Sequence, residues 1–192
     1  MENQISAIFD ISGSMNEMGK IHIQRNLCRF INQLHEVDGE RYSGIQFGCY
    51  GWGSSVIEIS IDESDDIPRL DAAGQLNFRA LSDFLSKLSG EGGIRKLVIL
   101  SDGHFDRDDL AGFIEWKTSY EHALIHTVAV GADANLFNLK KLSLDDGVFL
   151  AENIGTAINN IIWNSDTQTN PPESISQILL PQHPIAVEEW DV

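Results

Sequence analysis

Two short apolar runs set the limits on what this chain can fold into. Ile5, Ala7, Ile8 and Phe9 stop at Asp10, and Lys96 to Leu100 stop at Ser101-Asp102-Gly103. Apolar runs of this length that break at once into polar residues and glycine read as buried parallel strands entering loops. Between and after them come segments of helical period. Ile23, Leu27, Phe30, Ile31 and Leu34 mark a helix opened by Gly19 and Lys20, and Leu81, Phe84, Leu85 and Leu88 mark a second, closed by Gly90, Gly92 and Gly93. Leu110, Phe113, Ile114 and Lys117 mark a third, Leu136, Leu139 and Leu142 a short fourth, and Ile154, Ala157, Ile158, Ile161 and Ile162 a closing one. Further strands are expected over Tyr42 to Gly48, Ser55 to Ile61, Leu124 to Val130 and Val148 to Leu150. The glycine-rich Gly48 to Ser54 reads as a hairpin, which makes the third strand antiparallel to the second. Strands alternating with helices predict an α/β fold, Rossmann-like and doubly wound, with a mostly parallel sheet, one antiparallel edge strand and helices on both faces. In such sheets ligands sit outside the carboxyl ends of the strands at the switch in strand order, so Asp10 and Asp102 are expected in one crevice.

Asp10, Ser12 and Ser14 stand at alternate positions on the loop after the first strand. Oxygen-bearing side chains at that spacing suit a hard cation, because short side chains from one tight loop reach a common point and Gly13 permits a sharp bend. The same residues are also ordinary turn and helix-cap material, and that alternative stands beside the metal reading. Asp10-Ile11-Ser12-Gly13-Ser14 matches the Asp-x-Ser-x-Ser motif of von Willebrand factor A (VWA) domains, and Leu97 to Gly103 resembles the family's hydrophobic strand ending in (Ser/Thr)-Asp-Gly. Over roughly residues 4 to 163 the order of strands and helices also resembles the family's, and the paired motifs are more specific than either alone.

The resemblance implies a metal-ion-dependent adhesion site. Ser12 and Ser14 would be direct ligands, and Asp10 and Asp102 would act through bound water. The ion implied is Mg2+, with Ca2+ or Mn2+ as alternatives, and mostly neutral oxygens would leave it positive enough to seek a Glu or Asp carboxylate of a partner protein. One departure is plain: the family's threonine has no counterpart, and Gln75 takes its place when Ala80-Leu81 is aligned. A glutamine carbonyl can bind such ions, but with less fixed geometry. His104, Phe105 and Asn77 are the candidate partner-binding rim. The type most resembled is the small bacterial intracellular one, TerY-like and associated with AAA+ ATPases of the MoxR type, as an adaptor in stress or defence systems.

Charge narrows the partners. The 192 residues hold 13 Lys and Arg against 29 Asp and Glu, a net of −16, which argues against nucleic acid and anionic membranes. The first strand starts too near Met1 for a signal peptide, and no apolar stretch approaches a membrane span. Cys28 and Cys49 form no disulfide framework, and a cytoplasmic protein with both thiols reduced is expected.

Enzyme readings meet obstacles in the same residues. Gly13 to Ile21 misses the phosphate-loop pattern twice, with five residues before Gly19-Lys20 and Ile21 where a hydroxyl belongs. An aspartyl-phosphate enzyme using Asp10 would want a second carboxylate where Ser12 stands. A non-catalytic interaction module is therefore expected. The alternatives are a Mg2+-dependent phosphoryl-transfer hydrolase using Asp10 and Asp102, and a degenerate VWA scaffold that needs no metal. Residues 1–164 are expected to form the domain. Residues 165–192 are read as a polar linker ending in Pro171-Pro172, then an apolar tail from Ile175 to Trp190 that packs on the domain or on a partner.

Overall fold

The computed structural model describes residues 3–59, 70–88, 95–106, 110–119, 123–144 and 147–163. Its strands are β1 (Asn3–Asp10), β2 (Ile45–Trp52), β3 (Val56–Glu58), β4 (Arg95–Ser101), β5 (Ala123–Ala129) and β6 (Val148–Leu150). Its α-helices are α1 (Lys20–Val37), α2 (Phe78–Lys87), α3 (Ala111–Ser119), α4 (Leu136–Leu142) and α5 (Ile154–Trp163). The strands form one six-stranded sheet in the order β3-β2-β1-β4-β5-β6, parallel except for the β2–β3 edge pair. The chain winds outward from β1 to one side and from β4 to the other. The switch in strand order therefore lies between β1 and β4, as the two apolar runs imply.

Strand alternation divides the core in two. Ile5, Ala7 and Phe9 of β1, with Val98 and Leu100 of β4, face Leu27, Ile31 and Leu34 of α1 and Ile158 and Ile161 of α5. Ile8, Leu97 and Ile99 point the other way, onto Leu81 and Leu85 of α2, Phe113 of α3 and Leu139 of α4. All five apolar residues expected to anchor α5 are buried. Asn77 caps α2 by accepting from Ala80 N at 3.0 Å, and Asn135 caps α4 by accepting from Asn138 N at 3.1 Å.

Two local expectations are corrected. Residues 49–52, read as part of a hairpin, continue β2 along the whole of β1, from Asn3 opposite Ile45 to Asp10 opposite Trp52. Glycine serves there for close packing, since a Cβ at Gly51 would lie 3.2 Å from Ile11 Cδ1. On α1 the buried stripe includes Lys20, Gln24 and Cys28, whereas Phe30 is 40% exposed and lies beside α5, where a Cβ at Gly155 would be 3.8 Å from its ring. Cys28 and Cys49 are free and buried, and Asn32 Nδ2 donates to both sulfurs. The expected glycine closure of α2 and the 165–192 tail lie outside the described residues. Among the described residues no helix is long and apolar enough to cross a membrane.

Candidate metal centre

The loops leaving β1 and β4 meet at the switch point. Ser12 N and Ser12 Oγ both donate to Asp10 Oδ1, at 2.8 and 2.6 Å, and Ser101 Oγ donates to Asp10 Oδ2 at 2.6 Å. Ser12 Oγ lies 3.1 Å from Ser14 Oγ, and Ser14 stands near enough to Asp102 to help hold that carboxyl in its charged form. Asp10, Ser12, Ser14 and Asp102 thus come together, and Asp10 and Asp102 are wholly buried.

The 72–75 loop forms one wall. Gly13 N donates to Gly74 O and Ala73 N to Ile11 O, both at 2.9 Å, and a Cβ at Gly13 would lie 3.3 Å from Gly74 O. Close approach, rather than a left-handed bend, explains glycine at this position. Gln75 follows that contact, exposed, and makes no hydrogen bond to the cluster among the described residues. Asn77 belongs to the start of α2, and its Nδ2 donates to Ser54 O. His104 does reach the site: it is 43% exposed, its Nδ1 lies 3.2 Å from Asp102 Oδ2, and its N–H donates to Asp102 Oδ1 at 3.0 Å. Phe105 packs edge-on against Phe78 at 4.9 Å between centroids.

Lys20, expected as a helix opener and as part of a failed phosphate-loop pattern, bonds directly to the Asp102 carboxylate. Its side chain is wholly buried, and Nζ donates to Asp102 Oδ2 at 2.8 Å and to Asp133 Oδ2 at 2.9 Å. Gln24, one turn on, donates to Leu100 O at 2.9 Å and to Asp10 O at 3.3 Å, tying α1 to both strand ends. The readable signal was polar Lys20 and Gln24 on the helical stripe of Leu27, Ile31 and Leu34. Ser101 was marked by the Ser-Asp-Gly motif, whereas Asp133 carried no comparable signal, since only the meeting of loops gives it a role.

Electrostatics follow from burial and these contacts. Burial pushes Asp10 up from 3.8 to about 6, against the hydrogen bonds from Ser101 and Ser12. Burial works the same way on Asp102, but the Lys20 hydrogen bond, the His104 N–H and Ser14 outweigh it and hold this carboxyl below its ordinary value. Burial also opposes the charged form of Lys20, yet its bonds to Asp102 and Asp133 keep the ammonium above the usual lysine value. The Lys20 bond likewise lowers Asp133.

The donor set fits a small hard cation in kind. Two hydroxyls and two carboxylates converge, and the hydroxyl spacing is one at which two oxygens can share an ion. With all groups ionised, the three carboxylates Asp10, Asp102 and Asp133 outnumber the one ammonium by two charges, which a divalent ion would balance. No cluster of three or more His, Cys, Asp or Glu suited to a metal occurs among the described residues, so any ion here would depend on the serine hydroxyls.

The sequence matches no protein-family model and no curated protein. Solved structures do share its architecture. The von Willebrand factor type A structure from Catenulispora acidiphila is 18% identical, with TM-score 0.60 over 85% of this chain and 42% of that one. The ArnB paralog VWA2 from Sulfolobus acidocaldarius is 18% identical, with TM-score 0.58 over 81% and 43%. The manganese-loaded TRAP protein of Plasmodium vivax is 14% identical, with TM-score 0.61 over 84% and 73%. This chain therefore has the von Willebrand factor A fold. It spans less than half the length of the first two of these proteins.

Proposed function

We propose that the chain is a non-catalytic protein-interaction module whose site at the β1–β4 switch takes a divalent cation and, through it, an acidic side chain of a partner protein. The observation that carries this reading is the convergence of Asp10, Ser12, Ser14 and Asp102 on one point at two strand ends. Ser12 and Ser14 would hold the ion, with Asp10 and Asp102 behind them and Gln75 offered by the neighbouring wall. Bound there, Mg2+, Ca2+ or Mn2+ would supply an open coordination position for a carboxylate. A chain at −16 repels an acidic partner at range, so capturing a carboxylate needs local positive charge. Lys20 does not provide it, because Asp102 and Asp133 hold its buried ammonium. The manganese-loaded state of the TRAP structure supports an ion-binding use of this fold.

Around the site the rim is partly apolar. Met18 is 74% exposed on the turn into α1, and Phe137 is 58% exposed in the first turn of α4, just after Asn135, whose N–H donates to Asp102 O at 2.7 Å. Exposed side chains of this kind suit a protein partner. The narrower type, TerY-like and served by a MoxR-type ATPase in the cytoplasm, has no support beyond the motif resemblance.

Geometry weighs against phosphoryl transfer through Asp10. Both its oxygens accept hydrogen bonds, from Ser12 and from Ser101, which leaves it held in place as a structural acceptor and poorly placed to attack. Titration calorimetry of the full chain with Mg2+ should give one weak site in the wild type and none in Asp10→Ala. Equal heats in both would reject the site. Magnesium-dependent turnover of p-nitrophenyl phosphate, abolished in Asp10→Ala, would instead favour the hydrolase.

A further inference from the structure

A metal site built from serines and aspartates has no need of a lysine, yet here a lysine is bonded to one of those aspartates. The Lys20 ammonium is wholly buried and bonded to Asp102 at 2.8 Å and Asp133 at 2.9 Å. An ammonium is seldom buried unless paired, and here the pairing partner is a proposed metal-site residue itself. The path of the side chain is also built. Gly131, at φ +96°, lets the backbone after β5 lie against the lysine stem, and a Cβ there would meet Lys20 Cδ at 2.7 Å, Cγ at 2.9 Å and Asp133 Oδ1 at 2.8 Å. The same loop delivers Asp133, and Asn135 N fastens it to the Asp102 carbonyl at 2.7 Å. Helix α1, β4 and the loop after β5 therefore cooperate to seat one positive charge on Asp102.

We propose that Lys20 is the resident cation of this site, held by Asp102 and Asp133, so that the isolated chain is organised without a divalent ion and takes one up only against the charge of Lys20. This rests on the cation site proposed above and adds the residue that sets its affinity. Two positive charges drawn to the same carboxylate repel, and in a buried site that repulsion is only partly screened. The site would thus be low in affinity alone. A partner carboxylate adds the missing negative charge, so ion and partner would strengthen each other's binding by equal factors.

The test uses Mn2+ with the full chain, by calorimetry and by the electron paramagnetic resonance of free Mn2+. Lys20→Met keeps most of the stem and removes the charge, and should bind Mn2+ about tenfold more tightly than wild type or better. It should also gain thermal stability from Mn2+ where wild type gains little, and Asp10→Ala in the Lys20→Met background should abolish both gains. Lys20→Gln, whose amide can still donate a hydrogen bond, is measured alongside in case a methionine against two carboxylates prevents folding in chelator. Folded variants that bind Mn2+ no more tightly than a wild type that does bind it would overturn the role of Lys20 and leave the metal site standing. No binding by wild type or by either variant would overturn the metal site, and this inference with it.

Discussion

Asp10 is the residue where burial and function pull hardest against each other. Three hydrogen bonds, two from Ser12 and one from Ser101, do not replace the water it has lost, so its carboxyl rises to about 6. Between 3.8 and about 6 the folded chain keeps a proton that the unfolded chain has released. Through that window, with chelator present, Asp10 lowers stability as pH rises, by roughly 2 to 3 kcal/mol once it is fully ionised. Asp10→Asn should therefore flatten the fall in unfolding free energy between about pH 4 and pH 7, read by urea titration at each pH. An unchanged slope would mean that Asp10 ionises as an exposed carboxylate does. Asp102 runs the other way, because Lys20 holds its carboxyl below 3.8 and its contribution is lost only in stronger acid.

Elements explain which residues reach the site and which stand beside it. The motif residues were legible because Asp10 and Asp102 end apolar strands, and a strand's carboxyl end in a doubly wound sheet has one place to go. Asn77 shows the limit of such reading. Its position near the site is visible in the sequence, but the structure gives it the capping of α2, through Ala80 N at 3.0 Å, and a bond to Ser54 O at 3.2 Å. Asn77→Ala should cost about 0.5 to 2 kcal/mol by chemical denaturation, the usual range for a lost side-chain cap. It should leave Mn2+ affinity unchanged, and a loss of affinity without loss of stability would place Asn77 in the site instead. The hairpin expected over Gly48 to Ser54 forms, with β3 antiparallel to β2, but its turn is confined to residues 53–55 for a related reason. Gly51, which looks like a turn residue in sequence, is a strand residue here, packed closely against Ile11 and Ile57 of the edge strand.

At the scale of the whole molecule, charge is the dominant unspecific force. A net of −16 on 192 residues repels itself, and this repulsion is screened by salt. Raising NaCl from about 20 to about 200 mM should raise the melting temperature, because exposed like charges are screened more than the buried Lys20–Asp102 pair. A melting temperature that falls would show that attractive pairs, not net charge, govern stability. The sequence by itself determined the architecture, because the period of its apolar residues fixes strand or helix locally and the alternation of the two admits few topologies. It also determined the motif at the two strand ends. Only the tertiary structure decided which charges meet there. Lys20 and Asp133 are 113 residues apart, and nothing local in either marks them as partners until the sheet brings α1 and the loop after β5 to the same carboxylate.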